Sequence, residues 1–138
     1  MSAEYKSLAA AVIKGAVDDL LSVYKKVRKW DELDRKGALK EHVKRAMERR
    51  ATNTISLTSD ELSAVEFFKE SSEVRQLYFG MLDMEDVPAV IQKQRDFVKE
   101  NRKNLEDKIQ YFRRLIVKEK EKRTNSGKWH KREKRSKA

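Results

Sequence analysis

Apolar residues recur at steps of three and four along most of this chain, and the longest such run lies between Pro88 and Arg123. That stretch has no internal Gly or Pro. It reads as one helix of about 54 Å at ~1.5 Å per residue, with Pro88 setting the first φ angle and Asp86 placed to cap it. Ile91, Val98, Leu105 and Phe112 repeat at heptad spacing, flanked by Val90, Phe97, Ile109 and Ile116. The opposing heptad positions, Gln94, Asn101 and Lys108, are polar. The stripe is too narrow for a coiled coil and suits a helix laid across a bundle. A helix about three times the mean length makes Asn101–Asn104 a candidate break.

Four shorter helices are predicted upstream. Residues 4–30 carry a stripe from Leu8 through Val12, Val17, Leu20, Tyr24 and Val27 to Trp30, with small residues, Gly15 among them, suited to close helix contact. Asp31 or Asp34 can cap a second helix over 34–50, whose stripe is Leu39, Val43, Ala46 and Met47. Residues 51–58 are a polar, β-branched connection with room for a brief extended stretch. Thr58-Ser59-Asp60-Glu61 matches the capping box and opens a third helix over 59–70. Ser71 and Ser72 break it and can cap a fourth, 73–82, carrying Val74, Leu77, Tyr78, Met81 and Leu82. The expected core holds Val12, Val17, Leu20, Leu21, Leu39, Val43, Phe67, Phe68, Leu77, Val90, Phe97 and Val98. Helix signals stop at Thr124–Gly127. The expected fold is an all-α bundle of four or five helices over 1–123 with a long C-terminal helix, followed by a basic disordered tail, 124–138.

Composition agrees. The charged fraction is 41%, against the usual ~25%, and one Pro and four Gly leave little material for the turns of a sheet. With no cysteine, disulfides and thiolate metal sites are excluded. No apolar run is long enough to cross a bilayer, so a cytoplasmic location without membrane contact is expected.

Charge changes the picture most. Residues 108–138 contain thirteen Lys/Arg and three Asp/Glu, whereas residues 1–107 contain twenty of each. The net +10 therefore resides entirely in the last stretch and points to an anionic partner. Candidate contacts are Lys108, Arg113, Arg114, Lys118, Lys122 and Arg123 on the helix, and Lys128, Lys131, Arg132, Lys134 and Arg135 in the tail, with Trp129 and Tyr111 able to stack on unpaired bases. Cations near a helix C-terminus also offset its dipole, but that accounts for two or three charges and not thirteen. A second, weaker basic patch lies over 25–50, with eleven basic and five acidic residues.

Other chemistry has less support. The third and fourth helices have the lengths of a helix-turn-helix, but the second of them offers only Glu73, Arg75 and Gln76 to base edges. Ile109-Gln110 followed by Arg114 begins like a calmodulin-binding IQ motif, and then Leu115 and Glu119 depart from it. Lys131–Arg135 resembles a nuclear import signal. His42 and His130 are the only histidines, and no Gly-rich phosphate loop is present. Asp18-Asp19 and the Asp83–Asp86 cluster sit where caps and solvated surface are expected. No enzyme activity, cofactor or metal is expected.

Leu8-Ala9-Ala10-Ala11-Val12-Ile13-Lys14-Gly15-Ala16-Val17-Asp18-Asp19 resembles the opening helix of small helical proteins encoded in prophages of Gram-positive bacteria. Val65-Glu66-Phe67-Phe68-Lys69-Glu70-Ser71 is similar to the acidic-aromatic segment that follows in them. The resemblance implies a setting, phage and bacterial host cytoplasm, and no mechanism.

The expected function is that of a non-catalytic nucleic-acid-binding accessory protein, contacting phosphates of DNA or RNA without reading bases. The alternative is a phage-encoded inhibitor or adaptor docking on a host enzyme through its helical surface. The apolar end of the long helix, Tyr111, Phe112, Leu115 and Ile116, suits that alternative or a homodimer through the long helix.

Overall fold

The structure, a computed structural model, describes residues 3–69, 72–83 and 87–136, with side chains described as far as Arg123. Five α-helices follow in order: α1 (Ala3–Arg35), α2 (Leu39–Glu48), α3 (Ser59–Phe67), α4 (Glu73–Met81) and α5 (Ala89–Ser136), with a 3-10 turn at Thr52–Thr54. No strand occurs among the described residues, so the all-α bundle with its long C-terminal helix stands. The Asp86 cap lies outside the described residues. So do the side chains of the tail, whose backbone continues as helix past Thr124–Gly127 to Ser136.

Helices α1 and α5 lie side by side and run in the same direction. Ile13 and Ile91 share one apolar cluster, Tyr24 meets Phe97 edge-on at 5.5 Å, and Asp34 meets Lys108 at 2.6 Å. Between them the chain returns down the side of α1. Helix α3 runs antiparallel to α1, with Glu61 opposite Lys26 and Ala64 sharing a cleft with Ala16. Helix α4 completes the return beside the start of α1, where Lys6 and Asp83 stand 4.0 Å apart. Helix α5 then climbs past the end of α1 and packs against α2.

Two apolar clusters follow from this path. One gathers Val23, Val27 and Trp30 of α1, Leu39, Val43 and Ala46 of α2, Ile55, and Val98, Leu105, Ile109 and Ile116 of α5. The other gathers Ile13, Leu20, Ala64, Phe68, Phe79 and Val87. Burying each such side chain contributes roughly 1.5–3 kcal/mol. Trp30 is fully buried and donates its indole N–H to the Thr54 carbonyl at 2.9 Å, which ties the 3-10 turn to α1.

Several expectations are corrected. The first helix continues through Asp31 and Asp34, which do not cap: Asp31 pairs with Arg35 and Asp34 with Lys108. The break comes at Gly37, whose φ of 70° is left-handed; the amides of Gly37 and Ala38 bond back to Asp34 and Leu33 at 3.1 and 2.8 Å. This is the Schellman closure that glycine favours. The end of α2 repeats it, with Arg50 and Ala51 bonding to Met47 and Ala46 at 3.3 and 2.8 Å, but here Arg50 occupies the left-handed position at φ 55°. Residues 51–58 turn instead of extending, because Ile55 is drawn into the core. Helix α5 is unbroken at Asn101, whose side chain bonds to the Phe97 carbonyl at 2.9 Å without opening the backbone ladder. Gly15 is not a close-packing point, since a Cβ there would meet nothing within 4 Å. Leu77 and Val90 are exposed, at 59% and 68%.

The exposure of Leu77 has an identifiable cause. Arg75 is buried and donates to the carbonyls of Phe68 and Lys69 at 3.2 and 2.8 Å, closing the C-terminus of α3. Phe79, one turn on, is buried on the same side, so α4 is rotated away from its apparent apolar stripe. Ser72 caps α4 as expected, accepting from the Arg75 amide at 3.2 Å.

The capping box at α3 forms in full and does more than cap. Glu61 accepts from the Thr58 amide at 2.9 Å, from Ser22 Oγ at 2.9 Å and from Lys26 Nζ at 2.5 Å. Burial alone would raise its carboxyl, but the hydrogen bonds from Lys26, Thr58 and Ser22 outweigh it and hold Glu61 below its ordinary value.

These joints make two predictions. Glu61→Ala removes the carboxylate half of the capping box and leaves Lys26 only the Ser56 carbonyl at 3.3 Å, and should lower stability by about 2–3 kcal/mol in urea denaturation, less than for a fully buried pair because Lys26 keeps a route to water. In the same assay Gly15→Ala and Arg50→Gly should each stabilise by about 0.5–1 kcal/mol, and Gly37→Ala should destabilise by about 1 kcal/mol.

Candidate nucleic-acid interface

The parallel course of α5 carries its basic half beyond α1 and lays it against α2. Two basic segments far apart in sequence therefore meet at one end of the bundle. Residues 36–50 hold six Lys/Arg and two Glu, and residues 108–123 hold seven Lys/Arg and two Glu.

The seam between them is a shallow cleft lined by Lys44, Met47 and Glu48 of α2 and by Ile116, Glu119, Lys120 and Arg123 of α5. Lys40 reaches across to Glu119 at 3.0 Å. That hydrogen bond holds the Glu119 carboxyl below its usual range; burial pushes the other way, and the charges of Lys40, Arg123 and Lys44 add to the lowering. Glu119 thus sits among cations of both helices and offsets part of their mutual repulsion.

Among the sequence-predicted contacts, Lys108 is half-buried and bound to Asp34, so it orients α5 against α1 rather than facing an anion freely. Arg113 is half-buried and makes no ion pair among the described residues. Arg114, Lys118, Lys122 and Arg123 are exposed. Tyr111, 57% exposed, falls one helical step before Arg114, and Lys118 and Lys122 continue the same line. An aromatic face followed by three cations on one edge is suited to a base and its phosphates. The remaining predicted contacts, Lys128, Trp129, Lys131, Arg132, Lys134 and Arg135, lie where side chains are outside the described residues. The same holds for the import-signal resemblance.

Sequence reading does not assign the α2 cations to this surface. Lys40 and Lys44 belong to it, and the charge excess over 25–50 is the available signal. What cannot be read is that α5 comes to lie beside them. Lys120 also escapes sequence reading, because its neighbours Glu119 and Glu121 mask it.

The competing sites lose their reactive groups to packing. Ile109 is fully buried, which removes the anchor of the IQ-like stretch. Ile116 is buried, Phe112 is half-buried against the core and Leu115 is half-buried, so of this apolar end only Tyr111, with Val117 beside it, is exposed. Arg75 is engaged with α3, which leaves the helix-turn-helix reading with Glu73 and Gln76 alone. Among the described residues no group of three or more His, Asp or Glu is placed to hold a metal ion, and no helix is long and apolar enough to cross a membrane.

Comparison with protein-family models, characterised proteins and solved structures gives no match.

His42, on α2 at this end of the bundle, supplies a pH prediction. Its Nε2 is buried without a hydrogen-bond partner among the described residues. Burial lowers its basicity, a hydrogen bond with the Thr54 backbone opposes this, and the Lys29 charge of α1 lowers it further. The unfolded chain takes up this proton at a pH of about 6.5, whereas folded His42 stays neutral to lower pH. The unfolded state therefore binds more protons below that point. Stability should decline as pH falls through about 6.5 and level off once the folded group also protonates. His42→Gln should flatten this limb in urea denaturation measured from pH 8 to 5.

Proposed function

We propose that this protein is a non-catalytic nucleic-acid-binding accessory protein that grips phosphates without reading bases. The observation that carries the reading is the meeting of α2 and the basic half of α5, segments 36–50 and 108–123 that hold twelve Lys/Arg besides the engaged Lys108, against four carboxylates. Affinity for a polyanion comes from releasing condensed counterions, so it grows with the number of cations that reach phosphates together. Cations on two helices span more of a backbone than one helical edge does. Phosphate contacts position a chain without specifying sequence, and that is the contact an array of exposed cations is suited to. Tyr111 adds a stacking face, which favours single-stranded or unpaired regions. The phage and host-cytoplasm setting implied by the resemblance of the first helix is compatible with such a role.

A second reading, an adaptor or inhibitor docking on a host enzyme, draws on a different observation. Leu62, Val74 and Leu77 are exposed on α3 and α4 at 44%, 56% and 59%. A pulldown from host lysate, with and without nuclease, separates the two: a partner retained after nuclease favours the adaptor.

The direct test is a salt titration of binding to labelled duplex and single strands. Arg113→Gln, Arg114→Gln and Lys118→Gln together should weaken binding alike across unrelated sequences. For every cation that no longer reaches a phosphate, the logarithmic salt slope should flatten by roughly 0.9 on duplex and ~0.7 on single strands. Lys40→Gln with Lys44→Gln on α2 should flatten it too, and removal of 124–138 should reduce affinity with little change in stability. Unchanged affinity and slope in all three would make the basic end a solvated surface only.

A further inference from the structure

A cavity of about 440 Å³ lies midway along the bundle, away from the α2–α5 seam. Its volume falls in the range of small-molecule sites, roughly 300–1,000 Å³. Leu20 of α1, Val65 of α3 and Val98 of α5 line its apolar part, and Leu20 and Val98 are almost fully buried. Every other lining residue is a cation: Lys69 just past α3, and Arg95, Lys99, Arg102 and Lys103 of α5.

The charges are not all spent internally. Lys69 pairs with Glu66 at 2.6 Å, Arg102 with Glu106 at 3.3 Å, and Arg95 through Nε alone with the adjacent Asp96 at 3.4 Å. Lys99 and Lys103 make no ion pair among the described residues, and the terminal nitrogens of Arg95 are likewise unpaired there, although its side chain is only 17% exposed. A guanidinium this sheltered, with donors left over beside an apolar floor, is a ready anion contact.

The lining also says what the ligand is not. It has no aromatic ring, hydroxyl, amide or carboxylate side chain. A nucleobase would find no ring to stack on, only the guanidinium planes of Arg95 and Arg102, and no side-chain acceptor for its amino groups. An aliphatic chain ending in one anionic group meets both halves of the site. We infer that this cavity binds an alkyl chain with an anionic head, the chain on Leu20, Val65 and Val98 and the head among Arg95, Lys99 and Lys103. The opposing account is that the long stems of Lys99 and Lys103 merely cover the apolar floor.

The test uses the full chain and dodecanoate below its micelle concentration, with dodecanol and acetate as the chain and the head alone, followed by calorimetry. Dodecanoate should bind saturably at one site, about ten-fold tighter than dodecanol, and acetate should show no saturable heat. Lys99→Gln with Lys103→Gln, both exposed positions, should weaken dodecanoate about ten-fold and leave dodecanol unchanged. Val65→Phe, which fills the floor, should weaken both, with circular dichroism confirming the fold. Dodecanoate should not displace a labelled oligonucleotide, and its binding should persist whether or not the chain binds nucleic acid. Equal affinity for dodecanol and dodecanoate, no saturable binding, or loss of dodecanoate binding on removing 124–138 but not on Lys99→Gln with Lys103→Gln, would each overturn the inference.

Discussion

Two neighbouring helices that point the same way cannot be joined by a short turn, and the rest of this molecule follows from that constraint. Helices α1 and α5 share one direction along a common apolar seam. The chain between them must therefore return the full distance, and α3 and α4 are that return. Polar groups hold the return in place. Glu61 fastens the head of α3 to α1 through Lys26 and Ser22, and Arg75 fastens its tail to α4. These contacts are directional and nearly buried, so they select one position of α3 along α1 where apolar packing alone would tolerate several.

The same constraint explains how much could be read from the chain. Helical periodicity, the capping box at Thr58 and the cap at Ser72 are local signals, and the structure reproduces each of them. The all-α class follows from them. What resisted reading was decided by distant partners. Asp34 looks like a cap by residue type, yet it lies inside a helix that continues to Arg35 and is held by Lys108, 74 residues on. Leu77 looks like core by periodicity, yet the pull of Arg75 toward α3 turns it to water. Ile55 sits in a polar stretch and is buried because Trp30 anchors the neighbouring turn.

The candidate interface divides in the same way. Its charge was plain in composition, and the exposed line Arg114, Lys118 and Lys122 was legible as helical steps. Its second helix was not, because nothing local in 36–50 announces that residues 108–123 will pack against it. Lys108 shows the reverse: a cation counted toward a partner surface is occupied within the fold. Charge counting finds the region, and only packing sorts which cations are free.

The sorting of charge along the bundle has a mechanical consequence. Residues 25–50 and 108–123 carry net charges of +6 and +5, while residues 51–107 carry −5. Because the fold places the first two groups at one end, the molecule has a large permanent dipole along its length. In the field of a polyanion such a dipole is turned with its basic end foremost. The opposite end, with the exposed Leu62, Val74 and Leu77, is then held away from the anion like the free end of a lever. Orientation on approach is thus settled by the path of the backbone, ahead of any single contact.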